Sequence, residues 1–252
     1  GVDGFGIHFD SAEATQFIGM VSLSIILFSG GADTRLRDIR PVLGPGLVLA
    51  TLGVLTTTLL TGTFIYYLFH LFAPDYAFGW IESMLIAAIM SSTDSASVFS
   101  ILGSARTELK ENLRQTLELE SGSNDPVTYL LVIMLIGLTA TDIEAVSISG
   151  IILSSSAMMA AQLALGALGG LLVGYAAVWL VRRLRSDNEF MYPVLMIACV
   201  FFSFSLTELA GGNSYLSVYV SGVVVGNTRL PMKRTITTFF GGFTWIVQII
   251  MF

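Results

Sequence analysis

Eight apolar runs, at residues 17–30, 41–71, 83–103, 117–140, 150–181, 191–210, 215–226 and 239–252, restrict what this chain can fold into. Five of them reach the roughly 20 helical residues needed to cross ~30 Å of hydrocarbon. A water-soluble fold of 252 residues cannot hide that much apolar surface, because most of its residues must still meet water. Composition agrees: 54% of the residues are hydrophobic and 12% charged, against about 25% charged in soluble domains, and the mean hydropathy is +0.79. The expected fold class is all-α, a polytopic transmembrane helical bundle with one domain over residues 1–252 and the lipid bilayer as its solvent. Runs 41–71 and 150–181 are long enough that they must tilt, bend or project beyond the bilayer. The first and last runs read as incomplete, with the last cut mid-helix at Phe252.

The twelve basic residues fall into four triplets: Arg35, Arg37, Arg40; Arg106, Lys110, Arg114; Arg182, Arg183, Arg185; and Arg229, Lys233, Arg234. Each triplet occupies every second loop, and the intervening segments hold no Lys or Arg. The positive-inside rule then puts the basic loops in the cytoplasm and residues 1–13 outside. No secretory signal opens the chain, since residues 1–13 carry Asp3, Asp10 and Glu13 but no basic residue.

Several function classes lack their signatures. There is no GxxxxGK[ST] phosphate loop and no His/Cys cluster for a transition metal. The net charge of −6 sits in loops and at a few intramembrane points, and no nucleic-acid partner is expected. Cys199, the single cysteine, reads as a small buried hydrophobe. His8 and His70 read as interfacial residues. Gly166, Gly170 and Gly174 form one small-residue stripe and Gly222 with Gly226 another, expected to let helices pack closely inside the protein.

Two spans break the apolar rule. Ser91-Ser92-Thr93-Asp94-Ser95-Ala96-Ser97 interrupts the third run midway. An acid at the centre of a span costs about 2.5–3.5 kcal/mol on insertion scales, so it points to function. The flanking hydroxyls can satisfy backbone groups if the helix unwinds there, as in transporters that build cation sites at the midplane. The second break is Glu118-Leu119-Glu120-Ser121-Gly122-Ser123-Asn124-Asp125-Pro126. On a helix Ser121 and Asp125 are i,i+4 neighbours, as are Glu120 and Asn124. One helix can thus aim Ser121 and Asp125 at a site while Glu120 and Asn124 face a supporting neighbour. Hard oxygen groups of this kind suit alkali cations and protons. Burial favours the protonated carboxylic acid, so a proton and a cation can compete for one group. Glu118 reads as an interface acid near the cytoplasmic end, and Glu208 as a snorkelling one near the outer end.

Thr93-Asp94 in a serine-rich break, followed about thirty residues later by Glu120-Ser121-Gly122-Ser123-Asn124-Asp125-Pro126, resembles the monovalent cation:proton antiporter-1 family, in particular its NhaP-type branch. Leu27-Phe28-Ser29-Gly30-Gly31 and residues 41–55, 221–227 and 243–252 match as well, so the resemblance covers essentially the whole chain. It implies part of an inverted-repeat antiporter fold with broken helices, usually a homodimer, in the bacterial inner membrane. In the parent, further helices would precede and follow these residues, and the potassium-linked branch adds a cytoplasmic regulatory domain. The implied activity is exchange of K⁺ or Na⁺ for protons by alternating access, with no cofactor and no enzymatic step. By motif, Asp125 would be the shared cation and proton carboxylate. Thr93, Asp94 and Ser121 would complete the cation shell, and Asn124 would brace the unwound region. Glu120 would pair with an arginine on a helix beyond Phe252. Asn124, where electrogenic relatives carry Asp, implies electroneutral exchange. Many relatives carry an acid just before the Gly-Gly pair, where this chain has Ser29.

Two other readings use the same acids. An intramembrane aspartyl protease also needs two Asp residues on neighbouring helices, but its Tyr-Asp and Gly-x-Gly-Asp sequences stand at neither Asp94 nor Asp125. A channel, or a proton-path subunit of a larger complex, is the principal alternative to a carrier.

Overall fold

A computed structural model of the chain describes residues 11–93, 98, 109, 112–139, 148–184 and 188–251. Among these the regular structure is helical: α1 (Ala12–Asp33), α2 (Leu36–Ile39), α3 (Leu43–Val48), α4 (Val54–Phe72), α5 (Trp80–Met90), α6 (Leu113–Thr139), α7 (Ile148–Arg183), α8 (Met191–Leu209), α9 (Ser214–Gly226) and α10 (Lys233–Met251). Each of the eight apolar runs contributes a helix. Five continuous helical stretches are long and apolar enough to cross a membrane, while α5 and α9 are apolar but shorter. The first run is longer than its hydropathy suggested: Ser11 caps α1 by accepting from the Ala14 N–H at 3.2 Å.

The overlong second run bends through its own backbone. Between α2 and α4 the chain stays helical over Leu36–Phe72 but passes through a 3₁₀ turn at Arg40–Val42 and a π turn at Leu49–Gly53. A straight helix of 37 residues would be about 55 Å long at 1.5 Å per residue, and these irregular turns are the usual places for such a rod to bend.

The helices fall into two groups with separate apolar cores. In the first, Val54 of α4, Met84 and Ala88 of α5, and Val127, Leu131 and Leu135 of α6 pack together. In the second, α1, α7, α8, α9 and α10 enclose Ile25, Leu27, Phe28, Val181, Met196, Val200, Val218 and Phe240. Glycine sets the tightness of the second group. A Cβ at Gly166 would lie 2.6 Å from the Asn213 carbonyl, one at Gly174 would lie 2.8 Å from the Val224 Cβ, and one at Gly170 would strike the Ser217 carbonyl. Gly222 and Gly226 on α9 meet the Phe28 and Ala32 carbonyls of α1 in the same way. Both stripes are therefore internal helix contacts, as expected of small residues in lipid. A buried hydroxyl chain ties α8 to α9, with Ser203 Oγ 2.9 Å and Thr207 Oγ1 2.8 Å from Ser217 Oγ.

The groups meet along a seam where α6 faces α9 and α1. The Asn213 amide, 2% exposed, caps α9 by accepting from the Leu216 N–H and donates across the seam to the Pro126 carbonyl at 2.9 Å. Nearby, Tyr129 of α6 and Tyr215 of α9 stack edge to face with ring centres 5.1 Å apart.

Candidate functional site

The site forms where α5 stops. Its last helical residue is Met90, and Ser91–Thr93 leave the helix beside the middle of α6. Ser91 turns back to donate its hydroxyl to the Ala88 carbonyl at 2.7 Å, satisfying one of the carbonyls a helix end exposes. Asp94 lies outside the described residues, so its place in the shell is not defined.

The α6 side chains meet this end. Ser92 Oγ donates to Asp125 Oδ1 at 2.6 Å, a short bond of the kind made to charged acceptors. Thr93 Oγ1 is the hub of a second set: Asn124 Nδ2 donates to it at 2.6 Å, and Ser121 Oγ lies 3.0 Å away. Asn124 Nδ2 also donates to Glu120 Oε1 at 3.0 Å, and Ser121 Oγ lies 3.4 Å from Glu120 Oε2. Ser121 and Asn124 are fully buried, whereas Asp125 is half-buried and Thr93 exposed. Residues 92, 93, 120, 121, 124 and 125 thus form one network of oxygens and one amide.

One expectation changes on contact with this geometry. Glu120 and Asn124 do not turn to a separate supporting neighbour. They meet Thr93, as Ser121 does, because the end of α5 spans both faces of the α6 turn. Within this network Glu120 accepts from Asn124. Glu118, by contrast, pairs with Arg114 one turn away at 2.9 Å, as an acid near the basic loops should.

Ser92 carries the most direct contact to Asp125, although the sequence singled out its neighbour Thr93. Its membership of the Ser91–Ser97 run was the available signal. Pro126 adds a second feature. It lies inside α6 and has no N–H to donate to the Gly122 carbonyl. One turn of α6 is thereby loosened beside Asp125, and an oxygen is freed there.

The described site is thus a carboxylate among hydroxyls, where α5 ends against an Asn-Asp-Pro turn of α6. Comparison with known proteins gives the family. The chain matches the family of transmembrane sodium/hydrogen exchangers over residues 1–252, and it belongs to that family. It is 36% identical over 249 residues to the K(+)/H(+) antiporter NhaP of Alkalimonas amylolytica, covering 98% of this chain and 41% of that protein. It is 35% identical over 247 residues to the K(+)/H(+) antiporter NhaP2 of Shewanella sp. (strain ANA-3), with the same coverage. The chain thus spans about two fifths of the length of these relatives. The fold matches that of the sodium proton antiporter MjNhaP1 from Methanocaldococcus jannaschii at pH 8, with a TM-score of 0.71 and 18% identity, over 94% of this chain and 56% of that one.

Proposed function

We propose that these residues form the ion-carrying part of a secondary antiporter that exchanges K⁺ or Na⁺ for protons across the bacterial inner membrane. The observation that carries this reading is Asp125, placed on a proline-loosened turn against the broken end of α5 and hydrogen-bonded to Ser92. A half-buried carboxylate there can hold a proton or, once ionised, a cation completed by the Ser121 and Thr93 hydroxyls. Asp94 belongs to the same proposed shell, following directly on Thr93. The Gly122 carbonyl is a further hard oxygen within one turn. Asn124 is the brace, fixing Thr93 against Glu120. The Asn124 amide, where electrogenic relatives carry an acid, supports a reading of one proton for each cation. No cofactor and no enzymatic step are needed, because ion gradients supply the driving force. The relatives, K(+)/H(+) antiporters by name, support the cation class.

Two bundles with separate cores joined at a seam suit alternating access, in which the α4–α6 group moves against the α1, α7–α10 group and a homodimer steadies the latter. In proteoliposomes holding a pH gradient, the full-length protein should dissipate the gradient on addition of K⁺ or Na⁺, at a rate unchanged by clamping the membrane potential. Asp125→Asn should abolish this response, and a variant as fast as wild type would remove Asp125 from its role. Ion currents of unitary size would instead identify a channel. The basic loops are assigned to the cytoplasm. A cysteine at Arg182, in a Cys199→Ser background, should react with an impermeant maleimide only in inside-out vesicles, and labelling in intact cells would reverse the orientation.

A further inference from the structure

The residue that stands between the site and the basic-loop end of the seam is a tyrosine the proposed mechanism does not use. Tyr219 of α9 lays its ring on Gly122 of α6. A Cβ at Gly122 would lie 2.8 Å from Tyr219 Cε2 and 3.2 Å from its hydroxyl oxygen. The ring is 4% exposed. Its hydroxyl approaches the Thr34 side chain, within electrostatic reach of the Glu118 carboxylate, in a geometry that falls short of a full hydrogen bond.

What lies on either side of the ring is informative. Toward the basic loops is a polar cleft of about 390 Å³ lined by Asp33, Arg35, Asp38, Arg114, Gln115 and Glu118. Thr34 stands between two of those residues in sequence, and Glu118 is one helical turn before Gly122. Toward the site, Gly122 is followed three residues later by Asp125 on the same face of α6. The ring therefore occupies the one step of α6 that separates the cleft from the carboxylate. At the opposite end of the seam lie the Asn213 bond to the Pro126 carbonyl and the Tyr129–Tyr215 pair.

We propose that the Tyr219 ring, seated on Gly122, is the barrier that shuts the Asp125 site off from the basic-loop cleft, and that exchange requires it to leave that seat. This inference rests on the exchanger reading above. The chemistry of the residue fits the task. A tyrosine is broad, flat and stiff, with only two side-chain torsions and a polar tip. The glycine beneath lets the ring lie flush and exclude water. A buried hydroxyl short of a full hydrogen bond is rare and costs free energy. Swinging into the polar cleft would give that hydroxyl water, so the seat is sealed by shape while the hydroxyl favours release. Tyr219 belongs to the second apolar core, yet its hydroxyl end reaches the Thr34 and Glu118 side, next to the polar cleft.

The test uses the full-length protein in proteoliposomes with an acid interior, read by a pH dye. Wild type should hold the gradient until K⁺ or Na⁺ is added. Failure of wild type to respond would overturn the exchanger reading and not the barrier alone. In a Cys199→Ser background, Tyr219→Cys should leak protons severalfold faster than wild type without added cation. Benzyl methanethiosulfonate, which rebuilds an aromatic ring on that sulfur, should return the leak to the wild-type rate. Tyr219→Phe, which keeps the ring, should stay tight. Gly122→Ala reaches the same seat from the other helix and should leak as well, even if Tyr219→Cys fails to fold. If wild type exchanges but neither folded variant leaks, or if the benzyl adduct leaves the leak unchanged, Tyr219 is not the barrier.

Discussion

At the scale of single residues, the network divides into two halves that share a turn of helix. Thr93, Ser121, Asn124 and Glu120 bond among themselves, while Ser92 Oγ donates to Asp125 Oδ1 and makes a long 3.4 Å contact with Asn124 Oδ1. The first half is a frame, because an amide between a carboxylate and a hydroxyl has few other arrangements. The second half holds Asp125, the carboxylate proposed to exchange a proton for a cation. A hydrogen bond to a charged group contributes about 1.5–3 kcal/mol. Ser92→Ala should therefore lower the rate of cation-driven exchange by about tenfold, and an unchanged rate in proteoliposomes would show that the Ser92 bond has no weight in the working state.

At the scale of helices, α6 is continuous from Leu113 to Thr139 despite Pro126 in its middle. An interior proline costs about 3 kcal/mol or more, through a lost hydrogen bond and a ring clash, so its presence beside Asp125 sets rigidity against the proposed function. Pro126→Ala restores the N–H that the Gly122 carbonyl lacks. It should raise the thermal unfolding midpoint in detergent by several degrees and lower the turnover of exchange. A variant that is stiffer and equally fast would show the loosened turn to be incidental. The helices were legible in the sequence because hydropathy in lipid is a direct signal. Ser91–Thr93 also announced the end of α5, since hydroxyls can cap a broken span. The π turn at Leu49–Gly53 was not legible, as those residues are ordinary helix formers and the bend answers to the length of the rod. The meeting of Thr93 with Ser121 and Asn124 was implied by the family resemblance; helical spacing alone turned Asn124 toward a separate neighbour. Tyr219 and Asn213 did not, because pairing Gly122 with Tyr219 needs the register between α6 and α9, which no local pattern encodes.

At the scale of the molecule, two apolar cores leave the seam as the place where the bundle can give. α9 lies at that seam, but it is not free. Its glycines lock against α1, its Ser217 and Val224 backs seat the glycines of α7, and its hydroxyls bind α8. A helix keyed on three sides has no room to translate, so it serves as a fixed datum against which motion elsewhere can be read. Spin labels at Val220 on α9 and Leu23 on α1 should keep one separation when pH and K⁺ are changed. Labels at Val220 and Ile133 on α6 should report two, and a single unshifted distance would mean the groups move as one. The close glycine contacts of α9 thus do more than tighten packing: they supply the protein with its own frame of reference.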